Sequence, residues 1–240
     1  GDTLSLTGAS VTDGVGSLTA VILHKAGQTL YLNPFAPGTF NGEIVICQRG
    51  VIARVAKSFN VAAGGAGGLL LYNPVLQGLA TDNHFIPSVH LENDAGADLL
   101  SFMASHIGVT ATFTPGIATT VQGDVMAAFS SRCGPAQTLG ISKTDITAPG
   151  VQILAGNTPM PANAAGGQPG ELFQSIQGTS MSSPHVAGSG ALLRALHPDW
   201  TPGQIKSALM LTALSAGVTK EDGVTPANPF DFGSGRVDLT

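Results

Sequence analysis

The stretch Gln177-Gly178-Thr179-Ser180-Met181-Ser182-Ser183-Pro184-His185-Val186-Ala187-Gly188 constrains the fold more than any other part of the chain. It reads as a turn that opens a helix. Gly178 permits the sharp turn. Ser180 falls at or beside the helix start, where unpaired backbone N–H groups meet the positive end of the helix dipole. A serine there can simply cap the helix, as many serines do. It can also attack a carbonyl while neighbouring N–H groups hold the oxyanion that forms. Gly188 and Gly190 inside the helix each cost about 1 kcal/mol relative to Ala in an exposed setting. With Ala187 and Ala191 they make a small-residue stretch. The helix is therefore expected to be central and buried, packed closely against other backbone, with the serine at its tip.

Ahead of that helix the pattern is α/β. Strands are expected at 4–6, 18–23, 43–47, 68–72, 85–91 and 109–113, and helices at 51–63 and from Asn93 to about His106. The 51–63 helix rests on Val51, Ile52, Val55, Ala56, Phe59, Ala62 and Ala63 recurring at helical spacing. Strand, helix and strand over 43–72 form a βαβ unit. The run Gly64-Gly65-Ala66-Gly67-Gly68 is no phosphate loop: it closes a helix and opens a strand, the reverse of the dinucleotide-binding order. Pro115-Gly116 marks a boundary, 125–129 reads as a strand, and Thr201-Pro202-Gly203-Gln204 as a helix start with a capping box.

Taken together, the motifs are similar to those of the subtilisin-like serine proteases. The Gln177–Gly188 stretch resembles that family's nucleophile segment, G-T-S-M-A-x-P-H-V-A-G, departing only at Ser182 where Ala is usual. Asp145-Ile146-Thr147-Ala148-Pro149-Gly150 resembles D-I-x-A-P-G. Phe129-Ser130-Ser131-Arg132-Cys133-Gly134-Pro135 resembles F-S-S-R-G-P with a cysteine inserted, and Phe232-Gly233-Ser234-Gly235 the closing G-x-G segment. Cys47-Gln48-Arg49-Gly50 with its following helix, 70–74 and 86–89 resemble the protease-associated (PA) domain inserted in many subtilases. The resemblance implies two parts. Residues 1–114 would be a mixed α/β PA domain (from about residue 8) with a flanking strand. Residues 115–240 would be the C-terminal, Ser-bearing part of a parallel-sheet α/β catalytic domain. It also implies that Ser180 is the nucleophile.

A serine hydroxyl needs a base to take its proton, and the family supplies an Asp and a His earlier in the chain. Here the histidines are His24, His84, His90, His106, His185 and His197. None is followed by Gly, so the H-G-T-H segment is absent, and no D-S-G or D-T-G triplet occurs. His185 lies five positions after Ser180, about 140° away on a helix, and is expected to be structural. His197 is expected as a partner of the helix dipole. Asn157 follows D-I-T-A-P-G, whereas the family's oxyanion Asn precedes that motif, so Asn157 is rejected. The expectation is a portion of a larger secreted serine endopeptidase, inactive alone because its Asp, His and oxyanion Asn lie upstream. The alternative is a non-catalytic PA-type protein-interaction module on a degenerate subtilase scaffold. The implied partners are a polypeptide substrate, the remaining N-terminal part of the protease domain, and a second copy through the PA domain.

Composition excludes other classes. Charged residues make up 10% and the formal net charge is −5, with scattered Lys and Arg, so no basic face for nucleic acid is expected. No run of 18 apolar residues suggests a membrane span. Low charge with abundant Gly suits a secreted enzyme, although no signal peptide is visible. A start at Gly1-Asp2 rather than Met is expected of a processed product or excised piece. Cys47 and Cys133 are expected as free thiols rather than a bridge. Neither a cofactor nor a metal is expected, since no carboxylate or His/Cys cluster has ligand spacing.

Overall fold

The computed structural model describes residues 2–23, 32–134 and 143–240; His24 and Pro135 lie outside the described residues. Two compact units are present. The first comprises 1–119 with 154–176, the second 120–153 with 177–240.

The first unit is built on a five-stranded sheet in the order β4-β3-β2-β1-β5. Its strands are β1 (Val15–Ile22), β2 (Ile44–Gln48), β3 (Gly68–Tyr72), β4 (Ser88–Leu91) and β5 (Thr110–Phe113). β1 to β4 run parallel, and β5 closes the edge antiparallel to β1. Helix α1 (Arg54–Ala63) joins β2 to β3, completing the βαβ unit, and α2 (Asn93–Ser105) joins β4 to β5. Parallel strands covered on both faces read as continuous apolar runs, and β3 is buried at all five positions. Successive residues still face opposite ways. Ile44 and Ile46 join a cluster with Leu70, Leu91 and Leu99 of α2, while Val45 and Cys47 join Leu69, Leu71 and Val61 of α1.

Element ends follow local chemistry. Helix α1 begins at Arg54 rather than 51 because Val51 sits at φ +64° and the Ile52 N–H turns back to the Gly50 carbonyl. Gly64 caps its C-terminus, and Gly65 at φ +95° makes the turn into β3, as the glycine run predicts. Glu92, not Asn93, is the cap of α2; its carboxylate accepts from the Asn93 N–H. The strand expected at 85–91 is β4 alone, since Pro87 has no N–H for a ladder. Residues 4–6 form no strand; only Ala9 bridges His90. Residues 154–176 add the paired β6 (Ile153–Gly156) and β7 (Phe173–Ile176) and a one-turn 3-10 helix at Ala164–Gly166.

The second unit carries α3 (Thr179–Leu196), α4 (Pro202–Leu211) and the single turn α5 (Pro229–Phe232). Its buried cluster is small: Met126, Val218 and Phe232. Arg132 ties it together, pairing with Asp231 at 3.0 Å and Glu221 at 2.9 Å. The capping box of α4 forms as expected, with Thr201 and Gln204 each accepting from the other's backbone N–H. The strand expected at 125–129 is absent; Val125 makes one bridge, to Thr219, and a turn follows. Both cysteines are buried free thiols.

Candidate active site

Ser180 is the second residue of α3 and is exposed to solvent. Gly178 precedes the helix at φ +157°, at the border of the left-handed region that favours glycine. It caps with no side chain; the Met181 N–H turns back to the Gly178 carbonyl at 2.9 Å, while the amides of Thr179 and Ser180 precede the first bonds of the helix. Pro184 lies inside α3. Having no N–H, it cannot donate to the carbonyl four residues earlier, which is that of Ser180 itself. The serine thus stands at a helix end left open on both its amide and carbonyl sides.

The turn is held by the Asp145–Gly150 segment. The Gly178 N–H donates to the Gly150 carbonyl at 2.8 Å. A Cβ on Gly150 would meet Ser182 Oγ at 2.2 Å and the Gly178 carbonyl at 2.9 Å, so only glycine fits. The same segment is anchored at its other end. Thr147 exchanges backbone hydrogen bonds with Gly235 and Val237, and Ser234 N–H donates to Asp145 O. The Asp145 side chain pairs with Lys143 at 2.5 Å and Lys206 at 2.9 Å. The Lys143 hydrogen bond, with help from Lys206, holds its carboxyl below the usual range despite partial burial. Three motifs far apart in sequence are thereby brought onto one backbone scaffold.

No described imidazole bonds to Ser180, whose hydroxyl has no partner among the described residues. His185 is turned back along its own helix, its Nδ1 donating to the Met181 carbonyl at 2.7 Å. His197 caps the C-terminus of α3 and stacks on Trp200 with ring centroids 4.0 Å apart. In the first unit, His90 is buried, bonding Asn73 Oδ1 at 2.8 Å through Nε2 and accepting from the Ala80 N–H at 3.2 Å through Nδ1. His84 is buried beside Asp82, and His106 stacks on Phe102 while facing Asp2. Asn157 belongs to the first unit, where its N–H donates to the Leu172 carbonyl at 2.7 Å.

The expectation of a buried central helix fails. Along α3 only Ser189 is buried, with Leu192 57% and Leu196 73% exposed. A Cβ at Gly188 would meet nothing within 4 Å, and one at Gly190 only Ile205 Cγ2 at 3.7 Å. Within the unit, α4 is the helix packed on α3, and at Gly188 and Gly190 no backbone comes within 4 Å of where a Cβ would stand. Sequence reasoning did not single out Ser182 and Gly150 as a contact. The alternation of Gly and small residues in both motifs was the available signal.

Residues 50–235 match the profile of the subtilase family. The chain is similar to subtilisin-like protease SBT1.7 of Arabidopsis thaliana, at 40% identity over 220 residues, covering 85% of this chain and 28% of that protein. It is also similar to subtilisin-like protease SBT5.4 of the same plant, at 36% identity over 232 residues, covering 92% of this chain and 29% of that protein. The chain therefore spans under a third of the length of these relatives. Among solved structures, the psychrophilic subtilisin-like protease Apa1 from the Antarctic psychrotroph Pseudoalteromonas sp. AS-11 aligns over 95% of this chain and 39% of its own. Its TM-score of 0.32 and identity of 15% are too low to carry an argument.

Proposed function

The chain belongs to the subtilase family, and from that premise we propose that it is the Ser-bearing portion of a secreted serine endopeptidase that hydrolyses peptide bonds through an acyl-enzyme on Ser180. The observation that carries this reading is the exposed, unpartnered Ser180 at the open start of the 18-residue helix α3. Ser180 Oγ attacks the scissile carbonyl. Its proton passes to an imidazole supplied by the remaining N-terminal part of the protease domain, which then protonates the leaving amine. Amides at the start of α3 help to hold the oxyanion. Water then cleaves the acyl ester.

Two observations support a larger parent. The chain spans only 28% of its relative's length. The exposed Leu192, Leu196 and bare Gly188 of α3 offer a surface on which the rest of such a domain packs. Among the described residues no proton acceptor meets Ser180, and the chain alone is read as inactive. The first unit, with its parallel β1–β4 sheet and βαβ unit, is read as the PA domain. It serves substrate access or protein contacts, including contact with a second copy of the chain.

A fluorophosphonate probe tests the proposal. It labels Ser180 in the full-length parent, is lost in Ser180→Ala, and scarcely labels this chain. A full-length parent that hydrolyses peptides with Ser180→Ala intact would sink the assignment. An unreactive parent would instead favour the non-catalytic interaction module.

A further inference from the structure

The segment between the two motifs that hold Ser180 is a hairpin. β6 begins three residues after Gly150, and β7 ends two residues before Gly178. The bond from the Gly178 N–H to the Gly150 carbonyl closes its base at 2.8 Å. Beyond the strands the Asn157 N–H donates to the Leu172 carbonyl at 2.7 Å, and residues 158–171 form the far loop. Loops of this length are uncommon in compact domains unless they carry a function.

An isolated two-stranded hairpin is marginal in water, and burial does little for this one: Leu154, Leu172 and Phe173 are all exposed. Side-chain bonds to a distant part of the chain hold it instead. Asn83 Nδ2 donates to the Phe173 carbonyl at 2.9 Å, and Gln168 Nε2 to the His84 carbonyl at 2.6 Å. The 3-10 turn Ala164–Gly166 packs on α1. Residues 82–85, which make the grip, are themselves fastened to α1. Asp82 takes Arg54 in a two-point pair at 2.5 and 2.9 Å. The Phe85 N–H donates to the buried Ser58 Oγ at 3.2 Å, and the Phe85 ring meets Phe59 edge-on with centroids 5.1 Å apart.

The arm of the hairpin belongs to the first unit and its base to the second. The chain passes between them at 153–154 and at 176–177, both within four residues of the Gly150–Gly178 bond. Arm and base are one covalent, hydrogen-bonded element, so a shift of the arm reaches that bond through a few residues. Loss of the grip leaves a marginal hairpin, and the bond at its base then opens more often. We propose that Asn83 and Gln168 are positioning residues: they fasten the hairpin to α1, and the setting of the Ser180 turn depends on that grip. The catalytic consequence rests on the acyl-enzyme reading above; the grip itself does not.

Amide exchange of this chain, resolved by NMR at neutral pH, tests the grip. The double variant Asn83→Asp/Gln168→Glu keeps both side chains' size but replaces each N–H donor by a carboxylate, which cannot donate. In it the Gly178 and Met181 amides, bonded to the Gly150 and Gly178 carbonyls, exchange about fivefold faster or more. The Asn73 amide, bonded to the Leu91 carbonyl, and the Cys133 amide, bonded to the Phe230 carbonyl, keep their rates, which a general destabilisation would not allow. Gln168→Ala, which adds no charge, gives a smaller change at the same two amides. In the full-length parent the double variant lowers kcat about fivefold or more and leaves KM within about twofold, since the serine is displaced and the substrate's binding surface is not. Unchanged exchange at Gly178 and Met181, equal acceleration at the control amides, or an unaltered kcat in a reactive parent would each overturn the proposal. A parent that is unreactive in every form counts against the hydrolase reading alone, and exchange in the chain then decides the grip.

Discussion

The N–H of Gly178 donates to the carbonyl of Gly150 at 2.8 Å, and this single bond locks the turn that presents Ser180 onto a segment some thirty residues earlier. The contact is so close that a Cβ at 150 would overlap Ser182 Oγ. The position of Ser180 therefore depends on a residue with no side chain.

Gly150→Ala is expected to destabilise the second unit by about 1–3 kcal/mol, the usual cost of overpacking. Ser182→Ala in the same chain removes the atom that clashes and recovers part of the loss. Trp200 is the sole tryptophan and lies in the second unit, so urea unfolding followed by its fluorescence reads the effect. Absence of any rescue by Ser182→Ala would show that the clash with Gly178 O, not Ser182, decides the cost.

Burial separates two leucines. Leu71 is fully buried in β3, and Leu71→Ala should cost the first unit about 2–5 kcal/mol. Leu192 is 57% exposed on α3, and Leu192→Ala should change stability by no more than about 0.5 kcal/mol in this chain. In the longer parent proposed above, the same change at Leu192 should be markedly destabilising. Matching urea titrations of chain and parent check the contrast.

Acid should weaken the first unit. Burial lowers both His84 and His90 from 6.5 to about 4. Between those values the folded chain binds fewer protons than the unfolded one, so stability is full above about pH 6.5 and falls as the pH drops toward 4. The limiting slope is about 1.4 kcal/mol per pH unit for each histidine. Asp82 adds a later loss: burial would raise its carboxyl, but the Arg54 hydrogen bond and charge outweigh that and hold it low, so its contribution fades only below the usual carboxylate range. Urea titrations read from the Leu69 and Leu71 methyl resonances should show the slope, and His90→Gln should flatten it by about one proton. A stability that does not change from pH 7 to 4.5 would contradict the burial of these rings.

Neither thiol should react in the native chain. Burial pushes Cys47 up to about 12, which removes the thiolate at neutral pH, and Cys133 is only 7% exposed. Iodoacetamide at pH 8 should modify neither residue until denaturant is added, after which mass spectrometry finds both alkylated. Rapid native labelling of Cys47 would mean that β2 opens readily.

Much of the architecture was legible beforehand because it rests on neighbours a few residues apart. The apolar spacing of α1, the glycine stop at 64–65, the box at Thr201 and Gln204, and the buried run of β3 are short-range signals. Where prediction erred, a longer-range circumstance intervened. The segment 125–129 has strand composition, but its partner offers one bridge, at Thr219. Gly188 and Gly190 promise tight packing, yet a Cβ at Gly188 would meet nothing within 4 Å and one at Gly190 only Ile205 of α4. At the site, the motif order was enough to single out Ser180, whereas the crowding of Gly150 against Ser182 was invisible, since it depends on how two loops meet.

The order of residues by itself determined the βαβ half, the turn before Ser180 and the lack of an H-G-T-H segment, because turns, caps and motif spacing are written in adjacent side chains. Only the tertiary structure decided that α3 stands exposed, that His185 bonds back to Met181, and that the His84 ring is buried with its Nδ1 unpartnered. Those outcomes follow from which surfaces meet across long stretches of chain, and packing, not local propensity, settles that.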